Sequence, residues 1–173
     1  MSLVAAAAAD VDDIVALVES AFRGEASRAG WTTEADLLDG RRTGPDEIAA
    51  IVADPDQVIL VERDAAAALL ASVNLRRAGD RAWLGMLAVR PTLQGGGTGR
   101  RVVAGAETFA REHWGARVMR MKVIVQRAEL IAWYERRGYR RCGETAPFPY
   151  GDERFGLPKR DDLSFVVLEK ALP

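Results

Sequence analysis

Residues Gln94-Gly95-Gly96-Gly97-Thr98-Gly99-Arg100 constrain this chain more than any other stretch. They follow an apolar run, Trp83 to Val89, closed by Arg90-Pro91, and they open a helical pattern from Arg101 to His113. Four glycines fall within the five positions 95–99. Such a turn has almost no side-chain bulk, so several backbone N–H groups can close on one anion. The start of the helix adds N–H groups without intrahelical acceptors and the positive end of the macrodipole. The pattern predicts a strand, a pyrophosphate-sized cradle and a helix in succession. At roughly 1.5–3 kcal/mol for each charge-assisted hydrogen bond, three or four donors suffice to hold a cofactor.

Two familiar glycine motifs fail here. The P-loop requires Lys-Ser or Lys-Thr after its glycines, and none follows Gly99. The dinucleotide fingerprint G-x-G-x-x-G puts Arg100 at its third glycine when read from Gly95, and Val102 when read from Gly97. What fits is Q-x-x-G-x-G after a strand that ends in Val-Arg-Pro.

The remaining pattern reads as alternating strands and helices. Leu3 to Ala8 is a first strand, and Asp10 caps a helix carrying Ile14, Leu17, Val18 and Phe22 at helical spacing. Trp31 to Leu38 reads as a second short helix capped by Thr32 or Thr33. Pro45-Asp46-Glu47 begins a third, with proline in the first turn and acids at the positive end. Strands follow at Gln57 to Glu62, Ala67 to Arg76 and Ala82 to Val89. After the glycine helix come a strand at Arg117 to Val125 and a helix from Ala128 to Arg137, ended by Gly138 in a left-handed cap. Tyr139 to Glu144 and Leu163 to Leu168 are the closing strands. Between them Thr145 to Asp162 is long for a passive connection, so a lid and a dimer contact both stay open for it. The order predicts an α/β fold, a mixed sheet with helices on both faces.

Composition narrows the function classes. With 173 residues the chain is expected to be one domain, residues 1–173. A net charge of -1 gives no electrostatic footprint for nucleic acid. No apolar run approaches the roughly 18 residues of a membrane span, and the apolar start lacks the basic region of a signal peptide. A single Cys142 precludes an internal disulfide and suits a cytoplasmic setting; its place in a strand marks it as a small core residue. With His113 the only histidine, Cys-His, Ser-His and His-metal chemistries lack parts, and no metal site is expected.

Downstream, Glu129-Leu130-Ile131-Ala132-Trp133-Tyr134-Glu135-Arg136-Arg137-Gly138-Tyr139 places a Tyr, a charged pair and Gly-aromatic on a late helix entering a strand. This segment and the glycine loop, in this order and at this separation, resemble the GCN5-related N-acetyltransferase (GNAT) superfamily. That family carries [Q/R]-x-x-G-x-[G/A] at the same strand-to-helix junction. The resemblance covers residues 84 to 142. It implies a mostly antiparallel mixed sheet of about seven strands with a splayed central pair, acetyl-CoA as co-substrate and a primary amine as acceptor.

The resemblance also implies roles position by position. The strand Met86-Leu87-Ala88-Val89 parts from the strand at 117–125 and leaves a cleft for the pantetheine arm. Leu87 and Val89 pair with that arm through backbone groups, and the Leu87 N–H stabilises the acetyl oxyanion. Gly95, Gly96, Gly97, Gly99 and Arg100 hold the pyrophosphate through main-chain N–H groups, with Gln94 and Thr98 assisting. Tyr134 is the general acid that protonates the departing thiolate. Where the family has an Asn touching the cofactor this chain has Arg127, so that position carries over without its role. No Glu lies on 82–89 to serve as base. Trp31, Glu34 and Asp36 fall on the acceptor side of the fold, where a carboxylate beside an aromatic suits a cationic amine. The alternatives are a catalytically silent acyl-CoA sensor of the same fold, which the Tyr at 134 disfavours, and an unrelated nucleotide binder.

Overall fold

The computed structural model describes residues 2–173. In chain order the elements are β1 (Val4–Ala5), α1 (Val11–Phe22), α2 (Gly24–Ser27), β2 (Leu38–Asp39), α3 (Pro45–Ala53), β3 (Gln57–Arg63), β4 (Leu69–Ala78) and β5 (Arg81–Val89). There follow α4 (Thr98–Trp114), β6 (Val118–Ile124), α5 (Ala128–Glu135), β7 (Arg140–Pro147), β8 (Leu157–Pro158) and β9 (Ser164–Ala171). Seven strands form one sheet in the order β1-β3-β4-β5-β6-β9-β7. Its pairs are antiparallel except β5 with β6, which run parallel.

Helices cover both faces. On one, α4 seats Val102, Val103, Ala106 and Ala110 against Leu75, Ala82, Leu84, Met119 and Met121. These side chains recur at helical spacing while Arg100, Arg101 and Arg111 stay on the outer side. Burying each valine contributes about 1.5–3 kcal/mol. On the other face, Ile14, Leu17 and Val18 of α1 and Ile48 and Ile51 of α3 pack on Ile59, Val61, Met86 and Ala88.

Three elements depart from the sequence reading. The expected helix over Trp31 to Leu38 is absent. A single turn forms earlier, at Gly24–Ser27, and Leu38–Asp39 pairs with Leu157–Pro158 in a separate two-stranded sheet. Tertiary bonds override helix propensity here. Thr33 Oγ1 accepts from the Ala35 N–H at 3.0 Å and bonds to Ser27, and the Glu34 carboxylate is drawn inward to two arginines. The first strand shrinks to Val4–Ala5, because the alanines after it enter a short 3-10 turn at Ala8–Asp10. Cys142 is half-buried on the edge strand β7, beside Arg120, and is not a core residue.

The long connection is also more ordered than a bare loop. β7 extends to Pro147, Glu153–Phe155 makes a 3-10 turn, and β8 ties the segment to β2. Gly156 makes that tie possible, at φ 96°. A Cβ there would stand 2.9 Å from the Asp39 carbonyl oxygen and 3.0 Å from Arg23 Nη2.

Candidate active site

The parallel pairing of β5 with β6 spans only Arg81–Trp83 against Val118–Arg120. β6 then continues to Ile124 on β9 alone, so the β6-facing edge of β5 beyond Trp83 has no ladder partner. A bulge widens the gap. Asn74 faces Gly85 and Ser72 faces Ala88, so Met86 and Leu87 together oppose Val73. Met86 takes a φ of 46°, a conformation that costs a non-glycine residue about 1–3 kcal/mol. The bulge also reverses the alternation of the strand. Ala82 and Leu84 face α4, whereas Met86 and Ala88 face α1. Leu87 is left without a ladder partner, packs against the α4-side core and lines the opening.

A cavity of about 970 Å³ passes through this opening. It is lined by Gln94, Gly95, Gly96, Gly97, Gly99 and Arg100, by Leu87, Val89 and Tyr134, and by Phe22, Arg23, Glu34 and Phe148. The two sequence motifs, thirty-odd residues apart, thus share one chamber.

The glycine loop is shaped by its backbone. Gly95 and Gly97 have φ 85° and 86°. Gly97 is the N-cap of α4 and supplies no side-chain cap, so the first-turn N–H groups of Thr98, Gly99 and Arg100 have no intrahelical acceptor. A Cβ on Gly99 would lie 3.4 Å from the Trp133 ring. The helix therefore starts at Thr98, three residues ahead of the sequence reading. Gln94 and Thr98 are otherwise engaged. Gln94 Nε2 donates to the Val89 carbonyl at 3.2 Å, and Thr98 Oγ1 accepts from Arg101 at 3.1 Å while buried. Each keeps a donor: the Thr98 hydroxyl hydrogen and the second Gln94 amide hydrogen take no part in these bonds. Ala88 is fully buried against α1 and offers only its backbone.

Tyr134 sits 4% exposed, edge-on to both Trp133 and Tyr139. Burial pushes its phenol up to about 12, against a smaller downward pull from the Arg127 and Arg137 charges. It stays protonated at any physiological pH. Arg137, which sequence reasoning noted only as part of a charged pair, lines the cavity, stacks 3.4 Å over the Trp133 ring and donates to the Trp133 carbonyl. Arg100 and Arg137 give the glycine end two cations.

The expected acceptor residues separate. Trp31 is 46% exposed and lies 6.3 Å from Trp133, on the glycine-loop side of the cavity. Asp36 does not line the cavity; it is exposed and paired with Arg28 at 2.7 Å. Glu34 does line it, buried, but its carboxylate accepts from Arg23 and, at 2.9 Å, from Arg127, with Arg42 nearby. Burial would raise this carboxyl, yet the Arg127, Arg23 and Arg42 charges together outweigh it and hold the group below its usual range. Glu34 is therefore not a free counter-ion for a cationic amine, and that expectation is corrected. Arg127 bonds Glu34 and Thr32, where it ties the 31–36 segment to the start of α5. Arg23, Arg42, Arg76 and Lys122 escaped the sequence reading, because nothing local in the chain relates them.

The family model described as "Acetyltransferase (GNAT) family" matches residues 12–139. No curated protein sequence matches the chain. Among solved structures, nourseothricin acetyltransferase is 26% identical, with a TM-score of 0.58 over 69% of this chain and 68% of that one. A mutant spermidine N-acetyltransferase from Vibrio cholerae is 16% identical, with a TM-score of 0.70 over 99% and 95%. The ribosomal-protein-S18-alanine N-acetyltransferase from Escherichia coli is 13% identical, with a TM-score of 0.71 over 99% and 93%. The last two likenesses establish the fold. Among the described residues no helix is long and apolar enough to cross a membrane, and no group of acids, His and Cys is arranged to hold a metal ion.

Proposed function

The chain belongs to the acetyltransferase (GNAT) family, and on that premise we propose that it moves the acetyl group of acetyl-CoA onto a primary amine by direct attack in a ternary complex. The observation that carries this reading is the single cavity joining the helix-start glycine loop, through the gap between β5 and β6, to Tyr134. The loop fits a diphosphate: its N–H groups are unpartnered, two of its glycines need positive φ, and Arg100 and Arg137 stand beside it.

In this reading the N–H groups of Gly95 to Arg100 hold the diphosphate, and the unpaired edge of β5 accepts the pantetheine arm as an added strand. The Leu87 N–H, left off the β4 ladder by the bulge, stabilises the negative charge that forms on the acetyl oxygen as the amine attacks. The new C–N bond forms, the C–S bond breaks, and the sulfur leaves with the electron pair. Tyr134 donates to that sulfur. A phenol near 12 is a weaker acid than a thiol near 8.5, so full transfer costs about 5 kcal/mol unless another proton refills the phenol. The attacking nitrogen sheds one as it becomes an amide, which closes the proton balance without an acyl-enzyme.

Calorimetric titration with CoA, ATP and NAD, followed by thiol release from acetyl-CoA across an amine panel, tests the proposal. Selective CoA binding with amine-dependent thiol release supports it. CoA binding without transfer to any amine would leave the silent-sensor reading in its place.

A further inference from the structure

Apart from the glycine loop with Arg100 and Arg137, the cavity is lined by charges of one dominant sign. Arg23, Arg42, Arg76, Lys122 and Arg127 line it, and among the described residues Glu34 is the only acid that does so. The whole chain carries a net charge of -1, so this excess is local. Arg23 and Arg127 already hold Glu34, yet each keeps a buried Nε without a partner while only 6% and 8% exposed. Arg42, Arg76 and Lys122 have no ion pair with any described residue. They rest on aromatic faces: Arg42 is 5.2 Å from the Phe22 centroid, and Arg76 and Lys122 are 6.0 and 5.8 Å from that of Trp83. Glu19 and Glu47 act on the Arg42 guanidinium only through the field. Glu19 accepts from the Arg42 and Thr43 N–H groups and Glu47 from the Thr43 hydroxyl, and neither lines the cavity.

We infer that the acceptor amine carries an anionic group, a carboxylate or a phosphate-type oxyanion, which docks on this basic wall. The inference rests on the acetyltransferase reading above and names its substrate class. A polycationic amine would meet more like charges than opposite ones in this lining. An anionic amine finds two buried guanidinium groups, Arg23 and Arg127, that each still lack an acceptor at Nε, with the exposed cations Arg76 and Lys122 lining the same cavity. The same field favours a neutral amine over an ammonium, since neighbouring cations lower an ammonium's pKa. That lessens the need for a carboxylate base on β5, where the sequence has none.

The test is a panel of matched pairs: the L-amino acids against their decarboxylated amines, and aminoalkyl phosphates against the corresponding amino alcohols, with spermidine added. Thiol release and the mass of the acetylated product are read with wild type and Arg42→Gln, beside calorimetric acetyl-CoA binding. The expected result is at least one anionic member whose kcat/KM exceeds its partner's by tenfold or more, with spermidine a poor acceptor. In Arg42→Gln that ratio narrows several-fold. The two sets of pairs separate carboxylate from phosphate. Equal or better turnover of uncharged-tail amines or spermidine overturns the inference, as does no turnover of any anionic member while acetyl-CoA still binds. Failure to bind acetyl-CoA overturns the acetyltransferase reading instead.

Discussion

Replacing Glu34 with Gln should cost this protein more stability than its single lost charge suggests. The Glu34 carboxylate is buried, accepts from Arg23 and Arg127, and has Arg42 as a third cation nearby. Its amide analogue can accept from one guanidinium but presents N–H groups to the other, leaving cations facing one another without an anion. Breaking a buried pair by removing one partner costs about 3–5 kcal/mol. For a chain of this size each kcal/mol lowers the melting midpoint by about 2–4 °C, so a fall of about 6–20 °C is expected. Urea unfolding followed by tryptophan fluorescence gives the free energy directly. Asp36→Asn, two residues away but on an exposed pair with Arg28, is the control and should leave the midpoint unchanged. CoA binding should survive in Glu34→Gln, because the Glu34 carboxylate is held by Arg23 and Arg127 and bonds no residue of the glycine loop. A loss below about 1 kcal/mol would refute the idea that this carboxylate holds the arginines in place.

Three further outcomes are expected. Gly97→Val forces a β-branched residue to φ 86°, and Gly99→Val pushes on the Trp133 ring; CoA affinity should fall at least tenfold by calorimetry, with a far smaller change in unfolding free energy. Unchanged affinity in both would move the diphosphate site elsewhere. Tyr134→Phe keeps the packing and loses the proton, so kcat should fall about 10²-fold or more while KM for acetyl-CoA holds, measured by steady-state thiol release. The phenol's pKa is raised in the folded state, so its contribution to stability is fully present below its unfolded value near 10 and is lost as pH rises through about 12. The shift of two units corresponds to about 2.7 kcal/mol. The pH–rate profile should accordingly rise with deprotonation of the acceptor amine and show no falling limb from Tyr134 near pH 10.

What the sequence revealed was what is local. The glycine loop is legible because its geometry depends on missing side chains in one short run. The helix carrying Tyr134 is legible from its spacing and its Gly138 stop, which takes φ 93°. The segment 31–38 misleads because its conformation is set by Arg23 and Arg127, one just before it and one far along the chain. The basic wall is invisible for the same reason. Its members come from five separate elements or loops, and each alone reads as a solvated charge. The bulge at Met86 leaves no mark either, since the residue at positive φ is a methionine and the adjacent Gly85 does not adopt it.

The central claim is that main-chain amides of the glycine loop and of Leu87 meet the coenzyme. A ¹⁵N-edited NMR titration with CoA reads those amides one by one. The account predicts that the resonances of Gly95, Gly96, Gly97, Gly99, Arg100 and Leu87 shift together along one saturation curve and become protected from exchange. Saturable binding that leaves the glycine-loop amides unmoved, with shifts gathered elsewhere, would contradict it.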